Sequence, residues 1–512
     1  MLLTFFVFSA YFLYFTYMGK KKKDGKIFTP KDTVWRMLND ILGWSTLKYE
    51  NGRVYWPNIR KHIIDNSCGD GAFLSLIVDF YIHNVSVTTR RTKKEIKELL
   101  ETYIHGIELD PTEYHKCIER LDRVAALDGI KDVKWDIRNC DALSCHDYDG
   151  KMDFVIANPP YIRTHDLDCD LSGYAFTNEG MKDIYLAFYE LGFRMLNETG
   201  KMCYITPSSW FTSTAGQKMR DYIIENQNLT YVEDYGHYQL FENATTYVAI
   251  TLFNKEENDN VEYVTMERTN DDDGFWEGKI DVPYEDMCIG GKFYFSCKTM
   301  LDKMREITEY GKSLKKEDKA FEVKNGFATL ADDVFISKTP MVSRVYHAAN
   351  PWNVIPVIKS STGKQEWCYY PYNKNGKLMN ENSIDPVVLK TLAESKEKLL
   401  SRSTTEPWYA FGRTQAINDT FKEKIAVSSL VRNIYDVKLV EAGPGTGVYG
   451  GLYILPKQFK LGTMKFLIDS LQNPEFIAYV KLLGKYKSGG YYTFSSKELE
   501  NYLNWKYGKK ED

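Results

Sequence analysis

The tetrapeptide Asn158-Pro159-Pro160-Tyr161 directly follows an apolar run at 153–157 that is typical of a buried strand. Wound α/β sheets bind ligands at the carboxyl ends of their strands, where this tetrapeptide would lie. The Asn158 side-chain oxygen and the Pro159 carbonyl can each accept one hydrogen of an exocyclic amine, and the fixed φ of proline keeps that carbonyl rigid. Tyr161 adds a ring on which a planar substrate can stack. The pattern predicts chemistry at the amino group of a planar substrate; a tight turn without a chemical role is the alternative.

A glycine-containing loop lies upstream, between a first predicted strand at 61–65 and the helix that begins after Gly71. It starts at Asp65, continues through Ser67 and Gly69, and ends at Gly71. Glycines let a backbone approach a ligand closely, although a G-x-G spacing is a weak signal by itself. The loop is therefore a candidate binding site that needs support from other residues.

That support comes from acidic residues at successive strand ends. Asp65 ends the first predicted strand, Glu108 ends the second and Asp141 ends the third. A carboxylate at the end of the second strand can take two ribose hydroxyls, and Asp141 could accept from an adenine amino group. A single acid at such a position is more often a helix cap. Three of them upstream of the tetrapeptide predict a nucleoside-containing cofactor.

The elements that position these residues alternate as short apolar runs and amphipathic helices, which predicts a wound α/β sheet. Two further apolar runs, at 229–235 and 246–253, leave no room for a helix between them. We expect these two to form an antiparallel pair at the sheet edge. The other predicted strands and helices are the strands at 61–65, 104–109, 132–139, 153–157 and 201–206, a helix opened by Pro111, and a helix at 184–196.

The chain of 512 residues is too long for one compact core, so at least two domains are expected. A polar stretch around 255–274 predicts the boundary between a domain at 26–255 and one at 256–512. With 43% hydrophobic and 27% charged residues, the composition is typical of a globular protein and excludes wholesale disorder. The net charge of −4 permits nucleic-acid binding through a localised basic groove but does not argue for it.

Residues 1–25 form an apolar and basic extension, in which Met1–Met18 is almost entirely apolar and Lys20–Lys23 follow. We expect translation to start at Met18 and the protein to be cytoplasmic and associated with the nucleoid; a membrane anchor and a buried helix are the alternatives. The nine cysteines contain no C-x-x-C pair. Reduced thiols and no metal site are therefore expected.

In the order and spacing of these motifs the sequence resembles the gamma class of amino-methyltransferases, which mostly modify adenine in DNA. The resemblance covers 26–255, where Phe28-Thr29-Pro30 matches the N-terminal motif that packs against the methionine part of the cofactor. The loop D-N-S-C-G-D-G-A-F is similar to the family pattern D-P-A-C-G-S-G-x-F, with Asn66 in place of proline and Asp70 in place of serine. Both glycines are retained.

The resemblance implies a Rossmann-like sheet that binds S-adenosylmethionine and a flipped-out target base. Asp65 would lie near the methionine amine, Glu108 would hold the ribose and Asp141 would meet the adenine. The catalytic residues would be Asn158, Pro159, Pro160 and Tyr161. The cofactor would be held by Thr29, Pro30, Asp65, Ser67, Gly69, Gly71, Glu108, Asp141 and Pro160, and the target base or DNA would be contacted by Tyr161, Arg163 and Phe241.

Residues 256–512 resemble, more weakly, a mixed α+β target-recognition domain of modification enzymes from type II restriction systems. Arg413 and Gln415 are residue types that read guanine and adenine edges. In the alternative interpretation, Trp408, Tyr409 and Phe411 build a core and Arg413 pairs internally.

The resulting hypothesis is a monomeric, adenine-specific DNA methyltransferase that acts on double-stranded DNA, beside a separate cognate restriction endonuclease. A cytosine-N4 enzyme usually has serine in place of Asn158. Three alternatives stay open: an N-P-P-Y enzyme that acts on RNA or protein glutamine, an inactive DNA-binding protein, and a bifunctional restriction–modification enzyme. For the last, Glu394-x-Lys396 is a fragment of a nuclease signature.

Overall fold

The computed structural model describes residues 29–51, 53–162, 170–180, 183–241, 246–268, 275–339 and 353–511. The chain divides into two compact units. The first comprises Met1–Pro207 and Gln239–Glu256, and the second comprises Ser208–Tyr238 and Glu257–Asp512. The last boundary lies one residue from the one predicted at 255/256, whereas 208–238 is grouped with the second unit. That the two parts carry methyl transfer and target recognition stays a prediction.

Strands and helices up to residue 283 are numbered here in chain order, regardless of the unit. The strands are β1 Lys48–Glu50, β2 Arg53–Tyr55, β3 Ile63–Asp65, β4 Ile104–Glu108, β5 Asp136–Asn139, β6 Met152–Ala157, β7 Leu196–Pro207, β8 Leu229–Asp234, β9 Val248–Asn254, β10 Asn260–Arg268 and β11 Phe275–Pro283. The helices are α1 Lys31–Arg36, α2 Ala72–Thr88, α3 Lys93–Tyr103, α4 Pro111–Leu127, α5 Ile184–Met195 and α6 Gln217–Asn226. A π-helical turn, Met37–Ile41, continues α1.

Six strands of the first unit form one sheet in the order β9-β7-β6-β3-β4-β5. Neighbouring strands are parallel except β9, which runs antiparallel to β7. The chain passes from β3 outward to β5 and then returns to β6, so the strand order reverses between β3 and β6. Ligands of open α/β sheets bind at such a switch point, outside the carboxyl ends of the strands. The predicted Rossmann-like α/β fold with an antiparallel edge is confirmed.

The strands predicted at 229–235 and 246–253 are present as β8 and β9, and they belong to different units. The strand predicted at 246–253 is β9, and it pairs with β7 from Pro207↔Val248 to Lys201↔Asn254. Within the second unit, β8 pairs in parallel with β10, which falls in the stretch expected to be a polar boundary. Strand β10 forms because Val261, Tyr263 and Val264 are buried despite the polar residues around them.

Aromatic side chains pack the segment at 44–56 against α2. The Trp56 ring meets the Trp44 ring edge-on at 5.2 Å and the Tyr81 ring at 4.9 Å. The Trp56 indole N–H donates to the Trp44 carbonyl at 2.8 Å, which satisfies a polar group that is otherwise buried. Because Tyr81 belongs to α2, the chain that follows α1 is packed against the helix that begins at the glycine loop.

The second unit is a mixed α+β structure, as the sequence predicts, with a core rich in aromatic residues that include Phe327, Phe335, Tyr370 and Phe411. Its remaining strands are β12 Cys288–Ile289, β13 Lys292–Phe293, β14 Phe321–Asn325, β15 Ile336–Ser337, β16 Val354–Lys359, β17 Lys364–Tyr369, β18 Lys424–Val427, β19 Leu430–Val431, β20 Leu439–Ala442, β21 Gly447–Tyr449, β22 Leu452–Pro456, β23 Tyr486–Lys487 and β24 Tyr491–Thr493. Its remaining helices are α7 Tyr284–Met287, α8 Lys298–Ser313, α9 Asp332–Phe335, α10 Pro386–Ala393, α11 Lys396–Leu400, α12 Thr463–Leu471, α13 Pro474–Leu482 and α14 Ser496–Glu511.

Two small sheets organise this unit: an antiparallel sheet in the order β14-β22-β18-β20 and a mixed sheet in the order β15-β17-β16-β21. In the part of the chain that the structure describes, no helix is long and apolar enough to cross a membrane. The apolar run Met1–Met18, for which the sequence leaves three interpretations, lies outside the described residues.

Candidate active site

The tetrapeptide and the glycine loop meet at the switch point of the sheet. Asp65 is the last residue of β3, and Asn158 follows β6. The Ser67 hydroxyl donates to the Asn158 backbone carbonyl at 3.4 Å. The residue predicted to hold an amine therefore lies beside the loop predicted to hold the cofactor, as the sequence indicates.

The two positions of the loop that carry glycine require it for different structural reasons. Gly69 and Gly71 both have a left-handed backbone, with φ of 55° and 82°. A Cβ on Gly71 would lie 2.9 Å from the Cys117 sulfur, so this glycine lets α4 approach the loop. A Cβ on Gly69 would meet no atom within 4 Å. The open side of the loop is thus at Gly69, where a ligand can contact the backbone.

Both departures from the family pattern have partners in the structure. Asn66 is fully buried, and its amide donates to the Tyr204 hydroxyl at 2.5 Å. Asp70 forms an ion pair of 2.6 Å with Arg120 on α4. Both side chains are therefore held by residues outside the loop, Asn66 by β7 and Asp70 by α4.

Asp65 is a buried carboxylate at the centre of the site. Burial raises its pKa to about 8, the Ser67 backbone N–H at 3.1 Å partly offsets this rise, and the nearby Glu108 charge adds to it. No cationic side chain among the described residues pairs with it. A buried carboxylate is costly when it has no positive partner, and the ammonium group of a ligand would supply one.

Glu108 bridges the glycine loop and the start of α4. One carboxylate oxygen accepts from the Gly69 N–H and the other from the Asp110 N–H, both at 2.8 Å. Each oxygen keeps a further lone pair, so the geometry still allows the carboxylate to accept ribose hydroxyls. Asp141 is exposed and accepts from the Leu143 N–H at 3.0 Å. This is the helix-cap geometry, and the contact of Asp141 with adenine stays a prediction.

The Asn158 amide has a fixed neighbour on the N-terminal segment. It donates to the Thr29 hydroxyl at 3.1 Å, and Thr29 is itself buried. Pro30 follows as the residue before α1, and its carbonyl accepts from the Val34 N–H at 3.1 Å. The sequence indicated Thr29 as a cofactor contact; the structure brings its side chain to the residue that would hold the target amine.

Tyr161 is anchored through its hydroxyl, which donates to the Ile205 carbonyl on β7 at 2.9 Å. Burial raises the pKa of this phenol well above its ordinary value, so it stays neutral. The Phe241 ring lies 6.4 Å away with an interplanar angle of 54°, and the side chain is 4% exposed. The structure thus brings together two aromatic residues that the resemblance implies as contacts of the target base or DNA. Arg163, predicted to contact DNA, lies outside the described residues.

In the second unit, Arg413 and Gln415 are exposed. The backbone of Arg413 pairs with that of Ala328. Its guanidinium makes no hydrogen bond or ion pair with any residue that the structure describes. Gln415 donates to the Gly326 carbonyl at 3.0 Å, which leaves its side-chain oxygen available as an acceptor.

The aromatic residues before Arg413 do build a core, as the alternative interpretation held. Phe411 is fully buried, Tyr409 is buried, and Trp408 packs against the same cluster. No sequence pattern indicated Arg402. Its guanidinium donates to the carbonyls of Trp408, Ala410 and Thr329 and so holds this segment in place. Among the residues that the structure describes, Arg402 therefore has the internal partners that the alternative interpretation assigned to Arg413.

The sequence of residues 59–241 matches the family described as Eco57I restriction-modification methylase. The chain is 22% identical, over 79% of its length, to the type II restriction enzyme and methyltransferase RM.Eco57I of Escherichia coli, and it covers 49% of that protein. It is 24% identical to the type II methyltransferase M.BstVI of Geobacillus stearothermophilus, over 73% of this chain and 71% of the relative. The chain thus spans about half the length of the E. coli relative. The predicted resemblance to type II modification enzymes is confirmed.

Solved structures agree on the fold. The type IIL restriction-modification enzyme MmeI, solved in complex with DNA, superposes with a TM-score of 0.62 at 12% identity, over 91% of this chain and 65% of that one. A nuclease-deletion mutant of the type ISP enzyme LlaGI superposes with a TM-score of 0.52 at 10% identity, over 94% of this chain and 53% of that one. At these identities the likeness is one of fold.

Proposed function

We propose that this chain transfers a methyl group from S-adenosylmethionine to N6 of adenine in double-stranded DNA. The premise is that residues 59–241 match the Eco57I restriction-modification methylase family. It would act as the modification part of a type II restriction system. The observation that carries the proposal is the contact between the Ser67 hydroxyl and the Asn158 carbonyl. This contact supports the proposal because the tetrapeptide, which would hold the amine, begins next to the glycine loop at the switch point of the sheet.

The tetrapeptide supplies what an aromatic amine needs for reaction. Such an amine is a poor nucleophile because its lone pair is delocalised into the ring. The Asn158 side-chain oxygen and the Pro159 carbonyl would each accept one amine hydrogen, which favours a nitrogen whose lone pair is free to react. No strong general base is required, since the surplus proton can leave after the transfer.

The first unit fits S-adenosylmethionine, which supplies an electrophilic methyl group when bound. Asp65 would hold its ammonium group, because this buried carboxylate has no cationic side-chain partner among the described residues. Glu108 would accept from the ribose hydroxyls with lone pairs that the two backbone N–H groups leave available. The open backbone at Gly69 leaves space for the ligand. Asp141 would accept from the adenine amino group.

A base in a duplex cannot reach this crevice while it is stacked, so the target must be flipped out, at a cost of a few kcal/mol. Tyr161 and Phe241 would receive it. Their proximity supports this role, and the hydrogen bond from Tyr161 to Ile205 fixes the first ring. The extra length of the chain would serve to read several base pairs, and the exposed Arg413 is the first candidate for a base-edge contact.

The proposal is tested by the product. Purified full-length protein is incubated with S-adenosylmethionine and unmethylated genomic DNA, and the DNA is digested and analysed by mass spectrometry. We expect N6-methyladenine. N4-methylcytosine would contradict the base assignment, and methylation only of RNA or of a glutamine-containing protein would contradict the DNA assignment.

A second reaction, with Mg²⁺ added, tests for cleavage. RM.Eco57I is both a restriction enzyme and a methyltransferase, and this chain covers 49% of it. Double-strand breaks made by this chain alone would favour the bifunctional alternative over a separate endonuclease.

A further inference from the structure

A primary amide in a methylation site has to be oriented. Its oxygen and nitrogen have nearly the same size, yet only the oxygen can accept from the target amine. If the Asn158 amide were turned by 180°, its NH2 group would face the NH2 group of the target. Two donors would then meet, and no hydrogen bond could form between them. The proposed reaction therefore depends on a group that fixes the amide.

Thr29 occupies the position from which the amide can be fixed. Its hydroxyl accepts from the Asn158 amide N–H at 3.1 Å. In the structure the amide nitrogen faces Thr29 and the amide oxygen is turned away from it. The threonine is 8% exposed, so water is a poor substitute as an acceptor. The Ser67 hydroxyl contacts the backbone carbonyl of the same asparagine, so side chain and backbone are held from two segments.

The position of Thr29 is itself fixed by packing. It stands next to α1 and its π-helical continuation, whose side chains Val34, Met37 and Leu38 are almost completely buried. The chain that follows is fastened by Trp44 to the aromatic contacts with α2. Since α2 begins directly after the glycine loop, the threonine and the loop belong to one packed body.

We infer that Thr29 is a positioning residue, which sets the orientation of the Asn158 amide and through it the hydrogen bonding of the target amine. This inference rests on the proposed function. It differs from the role that the sequence resemblance implies for Thr29, which is contact with the cofactor. The two roles predict different effects on turnover and on cofactor affinity.

The test compares Thr29→Val with Thr29→Ser in the full chain. Valine keeps the shape and removes the acceptor, whereas serine keeps the hydroxyl. We expect the single-turnover methylation rate at saturating S-adenosylmethionine to fall about tenfold in Thr29→Val, because a buried amide loses its partner. In Thr29→Ser the rate should stay within about twofold of the unsubstituted protein, because the hydroxyl is retained. The Kd for S-adenosylmethionine should be unchanged in both variants.

A second set of Thr29 variants, made in a chain that also carries Asn158→Asp, separates an effect on the orientation of the amide from an effect on the fold. Asn158→Asp replaces the amide with a carboxylate, whose two oxygens are equivalent acceptors and need no orientation. The fold-change caused by Thr29→Val should therefore shrink to less than about twofold in this background. Thermal unfolding of each variant shows whether it is folded, and Thr29→Ala serves if the valine variant is not.

The possible outcomes decide between the roles. A weaker Kd for S-adenosylmethionine with a normal saturated rate would make Thr29 a cofactor contact and overturn the inference. So would an unchanged rate in Thr29→Val, or an equal loss in Thr29→Val and Thr29→Ser. An absence of DNA methylation by the unsubstituted protein would instead contradict the proposed function.

Discussion

The Ser67 hydroxyl and the Asn158 carbonyl are joined by a hydrogen bond of 3.4 Å across the switch point between β3 and β6. Ser67 belongs to the glycine loop, and Asn158 opens the tetrapeptide. A donor bound at the loop and an amine held by the tetrapeptide would therefore meet at one place. The predictions below follow from this geometry.

Replacement of Asn158 by alanine should lower methylation at least about hundredfold, because it removes an acceptor whose hydrogen bond to the amine strengthens as the nitrogen gains positive charge. Binding of S-adenosylmethionine should be retained, since the glycine loop is unchanged. Single-turnover assays and calorimetry measure the two effects. Asn375→Ala, in an exposed turn of the second unit, is the matched control and should behave like the unsubstituted protein. A loss of cofactor affinity equal to the loss of rate would show that Asn158 supports the fold of the site instead.

Asp65 should make cofactor binding release a proton. Its pKa is about 8 in the free protein, so the carboxyl is largely protonated at pH 7, whereas pairing with an ammonium group requires the carboxylate. Affinity for S-adenosylmethionine should therefore rise by up to about tenfold per pH unit below pH 8, until the ammonium group of the ligand itself begins to lose its proton. Calorimetry in two buffers of different ionisation enthalpy counts the released protons. In Asp65→Asn both the proton release and the pH dependence should disappear, and a proton count near zero for the unsubstituted protein would refute this prediction.

The Asp65 carboxyl should make the free protein less stable as the pH rises, whereas it should make cofactor binding tighter. Its folded pKa of about 8 lies above the ordinary value of 3.8, so between these two values the folded state binds more protons than the unfolded state. Raising the pH from 4 to 8 should therefore destabilise the free protein, and the full penalty applies above pH 8. Denaturant unfolding of the free protein at pH 5, 6.5 and 8 measures this slope. Asp65→Asn should flatten it; a slope that persists unchanged in this variant would assign it to other groups.

Tyr161 should act through its ring. Loss of the stacking face in Tyr161→Ala should cost about 1–3 kcal/mol in the flipped state and slow turnover, with little change in overall DNA affinity. Tyr161→Phe keeps the ring and loses only the bond to Ile205, so its effect should be smaller. A 2-aminopurine at the target position reports flipping by an increase in emission. If this probe brightens equally with the alanine variant, the ring does not hold the base.

Arg413 should determine one position of the recognised sequence. Loss of a bidentate contact in Arg413→Ala should cost about 1–3 kcal/mol at that base pair and relax selectivity there. A phosphate contact would instead weaken all sequences alike and reduce the salt slope by about one. The assay uses every single-base variant of the site at two salt concentrations. Arg305→Ala, which removes an arginine that is paired with Asp302 on α8, is the control. Unaltered selectivity with lower stability would make Arg413 a structural residue.

Much of the first unit could be predicted from the sequence because its signals are local. The apolar run at 153–157 became β6, and Asp110 caps the helix that Pro111 opens. The loop at 65–71 lies where the strand and helix patterns require it. Such signals depend on neighbours within a few residues, which one sequence displays.

The features that could not be predicted depend on contacts between residues far apart in the chain. The grouping of 208–238 with the second unit is one example, and the partner of β8 is another. Leu330 is a third: it is 41% exposed and has a left-handed backbone, with a φ of 56°, which leucine rarely adopts. A Cβ on Gly412 would lie 2.4 Å from its side chain, so this glycine is required by a neighbour that no local pattern reveals.

The bond from Asn66 to Tyr204 means that these two positions are energetically coupled. An asparagine at position 66 opposite a phenylalanine at 204 would bury an amide without its acceptor, and a tyrosine opposite the family's proline would lose its donor. Either single exchange removes one partner of this bond and leaves the other buried, so the effects of exchanges at the two positions are not additive. The stability of a loop that carries asparagine at position 66 therefore depends on the residue at position 204 of β7, which lies 138 positions further along the chain.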